Sequence, residues 1–205
     1  MQSPVKRVYF DKFVFDVWEN VYDPSEDSFL FAENLSVKLG ERVLDVGTGC
    51  GILGVVAAEK AASVLAIDLN PFAVRCAQKN SLLNNVKSKM AFLQTDLLAA
   101  LEKNAKFDLI LFNAPYLPSA EHEATSWTGR SWAGGANGRQ VIDRYIPQIQ
   151  TRLTTSMRVL LMQSTLANVE ETLRKFEVYG LRAKILAQRK LPFFETLTLI
   201  EANQA

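Results

Sequence analysis

Two alternating runs open the chain, "RVYF" at 7–10 and "KFVFDV" at 12–17, with Asp11 between them; they predict a short hairpin covering an edge or face of a larger sheet. "DPSEDSFLFAENLSVKL" follows with helical spacing, with Asp23 as its expected cap, Pro24 at the first helical position and Glu26 completing a capping box. Beyond Gly40 short apolar runs predict strands over 42–46, 62–67, 88–94, 107–112, 157–163, 181–188 and 193–200. Between them lie helical patterns over 51–60, 71–83, 97–103, 139–152 and 165–178, where Pro147 predicts a kink or a late helix start. "RVLDV", "SVLAID" and "DLILF" are nearly all apolar, as strands covered on both faces by helices must be. Only "RKLP" separates the last two strands, too little for a crossover helix, so they pair antiparallel. The expected fold is α/β: a doubly wound, mostly parallel seven-stranded sheet with an antiparallel C-terminal hairpin, in one domain over 1–205 with an N-terminal extension over 1–40.

Composition narrows the chemistry. The 23 Lys and Arg against 22 Asp and Glu leave a net charge of +1, too little field for a long nucleic-acid footprint. "MQSPVKRVYFDKF" has no apolar core of a secretory signal, and no stretch is apolar enough to span a bilayer, so a cytoplasmic location without membrane attachment is expected. Cys50 and Cys76 form no Cys-x-x-Cys pair and no cluster with histidine, so no metal site is expected. With His122 the sole histidine, a mechanism needing a histidine acid and a histidine base is excluded. His122 itself reads as a solvated loop residue.

Eight of the ten glycines gather in two windows, Gly47, Gly49, Gly51, Gly54 and Gly129, Gly134, Gly135, Gly138. The first lies in "VLDVGTGCGILG", a strand running through a glycine turn into a helix, where backbone amides face a ligand outside the carboxyl ends of the strands. A dinucleotide fingerprint would need a third glycine where Ile52 stands. Asp45, just before the loop, would repel a pyrophosphate but favour the ammonium and sulfonium of S-adenosylmethionine. Asp68 ends the next strand, placed to accept from both ribose hydroxyls, and Asp96 follows the third, near the adenine amine. Either could instead cap a helix, but capping does not predict three acids at three successive strand ends. Thr48, Gly51, Leu69 and Leu97 complete the expected cofactor set, with Cys50 a small residue in the turn.

The strand "FDLILFN" ends in Asn113-Ala114-Pro115-Tyr116. The Asn113 side-chain carbonyl and the Ala114 backbone carbonyl can together accept both hydrogens of a planar amino group; Pro115 fixes the backbone and Tyr116 can lie over the flat face. Such a nitrogen is a weak nucleophile, and two acceptors raise its electron density while aiming its lone pair. The same four residues could also be a plain turn.

These motifs, "VYDPSEDSFL", "LDVGTGCGILG", "AIDLNP", "FDLILFNAPYLP" and "WAGGANGRQVIDRYI" in that order, resemble the class I S-adenosylmethionine-dependent methyltransferases of the HemK-like family. That family methylates the side-chain amide of glutamine in the Gly-Gly-Gln loop of translation release factors. The chain is most similar to the short archaeal and eukaryotic forms. Ala114 stands where the family has the first proline of Asn-Pro-Pro-Tyr, and it keeps the backbone carbonyl while giving up rigidity. The resemblance implies that Glu26 and Asp27 lie near the methionine end of the cofactor and the substrate entrance, with Asp27 and Asn113 in the cofactor set. It places the second glycine window beside the substrate, with Trp127 or Trp132 as an apolar wall; a mobile surface loop is the competing reading. It further implies a release factor as substrate and a small zinc-binding activator protein covering the sheet edge near 88–94. The rivals are methylation of an exocyclic adenine or guanine amine in RNA or DNA, methylation of lysine, and a non-catalytic partner subunit that retains the fold.

Overall fold

The apolar runs become the middle of a seven-stranded sheet in a computed structural model that describes residues 4–150 and 157–204. β1 (Lys6–Phe10) and β2 (Phe13–Val17) pair antiparallel as a separate two-stranded sheet. Then come α1 (Glu26–Glu33), β3 (Arg42–Val46), α2 (Ile52–Ala58), β4 (Ser63–Asp68), α3 (Pro71–Leu83), β5 (Met90–Gln94) and β6 (Leu109–Asn113). The chain continues through α4 (Trp127–Trp132), α5 (Gln140–Gln150), β7 (Arg158–Ser164), α6 (Val169–Val178), β8 (Leu181–Lys190) and β9 (Thr196–Gln204). The main sheet has the order β5-β4-β3-β6-β7-β9-β8; it is parallel from β5 to β7, and β9 runs antiparallel between β7 and β8. This is the doubly wound sheet with a terminal hairpin that the sequence predicts.

The order turns at β3 and β6, so the carboxyl ends of these strands meet where the direction of winding reverses. Leu109 to Phe112 of β6 are at most 1% exposed, as a strand covered on both faces requires. The β1–β2 hairpin covers α3 rather than the sheet. The buried Asn80 amide accepts from Asp16 N (2.9 Å) and donates to the carbonyls of Asp16 (2.9 Å) and Cys50 (2.8 Å), while one turn later Asn84 pairs with both backbone groups of Val14. Two asparagines on one helix face thus substitute for a neighbouring strand, and Asn80 ties the hairpin to the glycine loop.

Several expected boundaries change. α1 starts at Glu26 with Ser25 as its N-cap, and no side chain caps it; Asp23 pairs with Lys6 and Glu26 with Arg189, so the expected cap and capping box do not form. No helix forms over 97–103, because Leu97 takes a left-handed conformation (φ 48°) and the segment proceeds through turns. α5 continues through Pro147 instead of starting late, and residues 151–152 of its expected span lie outside the described residues. Residues 193–195 belong to the turn before β9 rather than to the strand. A short 3-10 turn (Thr165–Ala167) precedes α6, and α4 forms where only a loop was expected. Among the described residues no helix is long and apolar enough to cross a membrane.

Candidate active site

A cavity opens over the carboxyl ends of β3, β4 and β6, and most of the sequence-derived candidates line it. Gly47, Thr48 and Gly49 form one wall; Asp68, Leu69, Asp96 and Leu97 form a second; Asp27, Asn113, Ala114, Pro115 and Tyr116 form a third; Trp127 and Trp132 line it as well. Glu26, Asp45 and Gly51 do not line it. Glu26 points to Arg189 on β8 (2.8 Å), which explains its place on the outer face of α1. Gly51 packs against α3, where a Cβ would come within 3.1 Å of the Ala77 backbone. Tyr22, Arg130, Val141 and Arg144 line the cavity as well and were not singled out from the sequence. Tyr22 directly precedes the "DPSED" motif, and Arg144 lies one helical turn from Val141, which are the signals that could have found them.

Asp45 lies beneath the glycine loop, 1% exposed, its Oδ2 accepting from the Thr48 hydroxyl (2.6 Å) and from Gly54 N (2.9 Å). Its work in this structure is to fold the loop. Burial pushes its carboxyl up to about 7, against the two hydrogen bonds that pull it down. The folded protein therefore holds a proton that the unfolded chain releases near its ordinary value of 3.8, and stability falls as pH rises from about 4 to about 7. Urea unfolding of wild type and Asp45→Asn across that range should show wild type losing about 4 kcal/mol relative to the variant. A difference that does not change with pH would contradict the raised value.

Asp68 accepts from Gly49 N through Oδ2 (2.9 Å) and from Asn70 N through Oδ1 (2.8 Å), which fixes the loop to the end of β4; burial raises its carboxyl. Asp96 is paired with Arg144 (2.5 Å) across the cavity wall. The pair balances charge at the edge of the second wall.

At the third wall the tetrapeptide meets α1. The Asp27 carboxylate, 5% exposed, accepts from Asn113 Nδ2 (3.0 Å), the Tyr116 hydroxyl (3.2 Å), the Tyr22 hydroxyl (3.2 Å) and Ser28 N (2.6 Å). Burial first, and then the Asp27 charge, raise both tyrosine hydroxyls, so they remain protonated donors. With its amide nitrogen committed to Asp27 and Ser28, Asn113 is left with a carbonyl oxygen that is buried and has no donor. Six other buried side-chain atoms among the described residues also lack a partner, but none belongs to a residue lining the cavity. No donor among the described residues bonds the Ala114 carbonyl either. Two adjacent acceptors thus keep unmet hydrogen-bonding capacity.

The second glycine window packs directly on the tetrapeptide. Leu117 N donates to Trp132 O (3.0 Å), Gly134 N to Leu117 O (2.8 Å) and Ser119 N to Gly135 O (2.9 Å). Gly138 (φ 72°) sits so close that a Cβ would lie 2.3 Å from the Tyr116 carbonyl oxygen. The window is thus a fitted backing for residues 116–119 and not a free surface loop. Gly138→Ala should displace Tyr116, lowering turnover at least ~10-fold and stability by about 2 kcal/mol; steady-state kinetics and thermal unfolding check both, and a variant with unchanged turnover would contradict the coupling. His122 is exposed in a 3-10 turn (Glu121–Thr125) and does not line the cavity.

The methyltransferase small domain family matches residues 20–128, the stretch that carries the glycine loop and the tetrapeptide. A Methanocaldococcus jannaschii chain provisionally named protein N5-glutamine methyltransferase MJ0928 is 37% identical over 87% of this chain and 90% of its own length. The human methyltransferase HEMK2 is 30% identical over 92% of each chain. Among solved structures, a chain of the E. cuniculi Mtq2–Trm112 complex, which methylates the translation termination factor eRF1, superposes with a TM-score of 0.72 at 24% identity, covering 91% of this chain and 99% of that one. That likeness carries the fold; the sequence matches carry the family. The chain belongs to the methyltransferase small domain family, in its HemK-like branch.

Proposed function

We propose that the chain methylates the side-chain amide nitrogen of glutamine in the Gly-Gly-Gln loop of a translation release factor, with S-adenosylmethionine as donor. The observation that carries this reading is the buried Asn113 carbonyl oxygen in the cavity wall, beside the Ala114 carbonyl, neither of which has a donor among the described residues. Sequence relatives named protein N5-glutamine methyltransferase and release factor glutamine methyltransferase support the substrate class.

The cavity suits this cofactor. Asp68 keeps lone pairs for ribose hydroxyls while holding Gly49, Leu69 and Leu97 offer apolar faces for a purine, and the Asp96–Arg144 pair stands where polar purine edges would come. Gly47 takes φ 64°, and a Cβ there would lie 3.4 Å from the Phe112 ring. When bound, the cofactor supplies an electrophilic methyl group on a sulfonium.

Everything else falls to the chain. Asn113 Oδ1 and the Ala114 carbonyl accept the two N–H groups of the glutamine amide, which fixes its plane and withdraws none of the nitrogen's electron density. Tyr116, with its hydroxyl tied to Asp27, presents a ring beside that plane. Asp27 acts as a positioning residue: by binding Asn113 Nδ2 it determines which end of the Asn113 amide is left for substrate. The alkylated nitrogen is strongly acidic and passes its surplus proton to water. Release-factor methylation would place this work in the cytoplasm. At β5, the sheet edge with half-buried Phe92 and Leu93, we propose the seat of the small zinc-binding activator; full activity of the purified chain alone would remove it.

Incubating the protein with methyl-labelled S-adenosylmethionine and either a release factor or bulk RNA tests the substrate. Label should enter one glutamine of the factor; label entering RNA instead would overturn the reading in favour of a nucleic-acid amine.

A further inference from the structure

Phe193 and Phe194, at the tip of the β8–β9 hairpin, are 95% and 103% exposed, and both are left-handed (φ 61° and 65°). Large aromatic side chains rarely adopt that conformation, and two adjacent rings standing fully in water contribute nothing to the folded core. The tip is nevertheless held in place. Leu191 N donates to Glu195 O (2.8 Å), Thr196 N donates to Thr165 Oγ1 (3.1 Å), and Arg189 bridges to Glu26 (2.8 Å) and Glu33 (2.6 Å) of α1.

That anchorage ties the hairpin to the helix that supplies Asp27 to the cavity wall. α1 carries Asp27 one residue after Glu26, and the Glu195 charge acts on the Tyr22 and Tyr116 hydroxyls inside the cavity. A glutamine side chain that reaches Asn113 belongs to a polypeptide that must continue out past this flank. We propose that the Phe193–Phe194 tip is a docking element for the folded substrate protein, seating an apolar depression next to the loop that enters the cavity. The proposal rests on the protein-substrate reading above.

Charge around the tip favours this occupant. Glu195 and Glu26 flank it beside Arg189 and Lys190, a mixed rim that suits a protein surface. A bilayer-inserting tip would carry a cationic rim, and a base-stacking platform would need a basic groove to follow a phosphate backbone.

The double variant Phe193→Ser/Phe194→Ser removes only exposed rings and should unfold at the wild-type temperature. Methylation is then measured on the intact release factor and on a short synthetic peptide carrying its Gly-Gly-Gln sequence. The account predicts that KM for the intact factor rises about 10-fold or more with kcat retained, while the peptide's kinetics do not change. An unchanged KM for the intact factor would overturn the docking role. So would equal losses on both substrates, or a wild-type protein whose Phe-dependent contact proves to be with phosphatidylserine vesicles or a second copy of the chain. A wild-type enzyme inactive on factor and peptide alike would remove the substrate reading itself, and the docking role with it.

Discussion

Asn113→Ala lowers the methyl-transfer rate by ~10³-fold or more while leaving S-adenosylmethionine affinity nearly intact. The side chain lies in the cavity wall with its nitrogen bound to Asp27 and Ser28 and its oxygen unmet, so its removal deletes one of two acceptors without touching Asp68, Gly47 or Gly49. What is lost is orientation of the amide: a freely turning planar nitrogen seldom presents its weak lone pair to the methyl group. Calorimetry with cofactor and single-turnover methylation separate the two effects. Turnover near wild type would remove Asn113 from the mechanism.

Asp27→Ala should cost ~10²-fold in kcat. The carboxylate is the common acceptor for Asn113, Tyr116, Tyr22 and Ser28, and without it four side-chain donors in the wall lose that acceptor. Asn113 can then turn its amide over, presenting N–H groups to a substrate that also offers N–H groups. Asp27→Asn keeps one acceptor oxygen and should recover part of the rate. A merely structural residue would lower stability without this graded return of kcat. A large fall in cofactor affinity with kcat preserved would instead make Asp27 a cofactor ligand, as family resemblance alone suggests.

The sheet was legible because β3, β4 and β6 are apolar on both faces, a pattern that few other environments tolerate. The glycine loop and tetrapeptide were legible for a related reason: each departs sharply from the strand that feeds it. What escaped the sequence depends on distant partners. Asp27 lies 86 residues from Asn113, and nothing local shows that its charge would be spent on an asparagine and two tyrosines. Asp45 looked like a ligand group because it sits at a strand end, yet Thr48 and Gly54 capture its Oδ2 below the loop. The expected helix over 97–103 had suitable residues, but Leu97 at φ 48° sets Asp96 toward Arg144, and that turn ends the helical path. The second glycine window left two readings open until its backbone bonds to residues 117–119 were seen.

The most direct test is a crystal structure of the protein with S-adenosylhomocysteine and a Gly-Gly-Gln peptide. The account predicts the glutamine side-chain nitrogen ~3 Å from both Asn113 Oδ1 and the Ala114 carbonyl oxygen, with Asn113 Nδ2 still on Asp27. A glutamine nitrogen bound elsewhere, with Asn113 Oδ1 turned from it, would contradict the account.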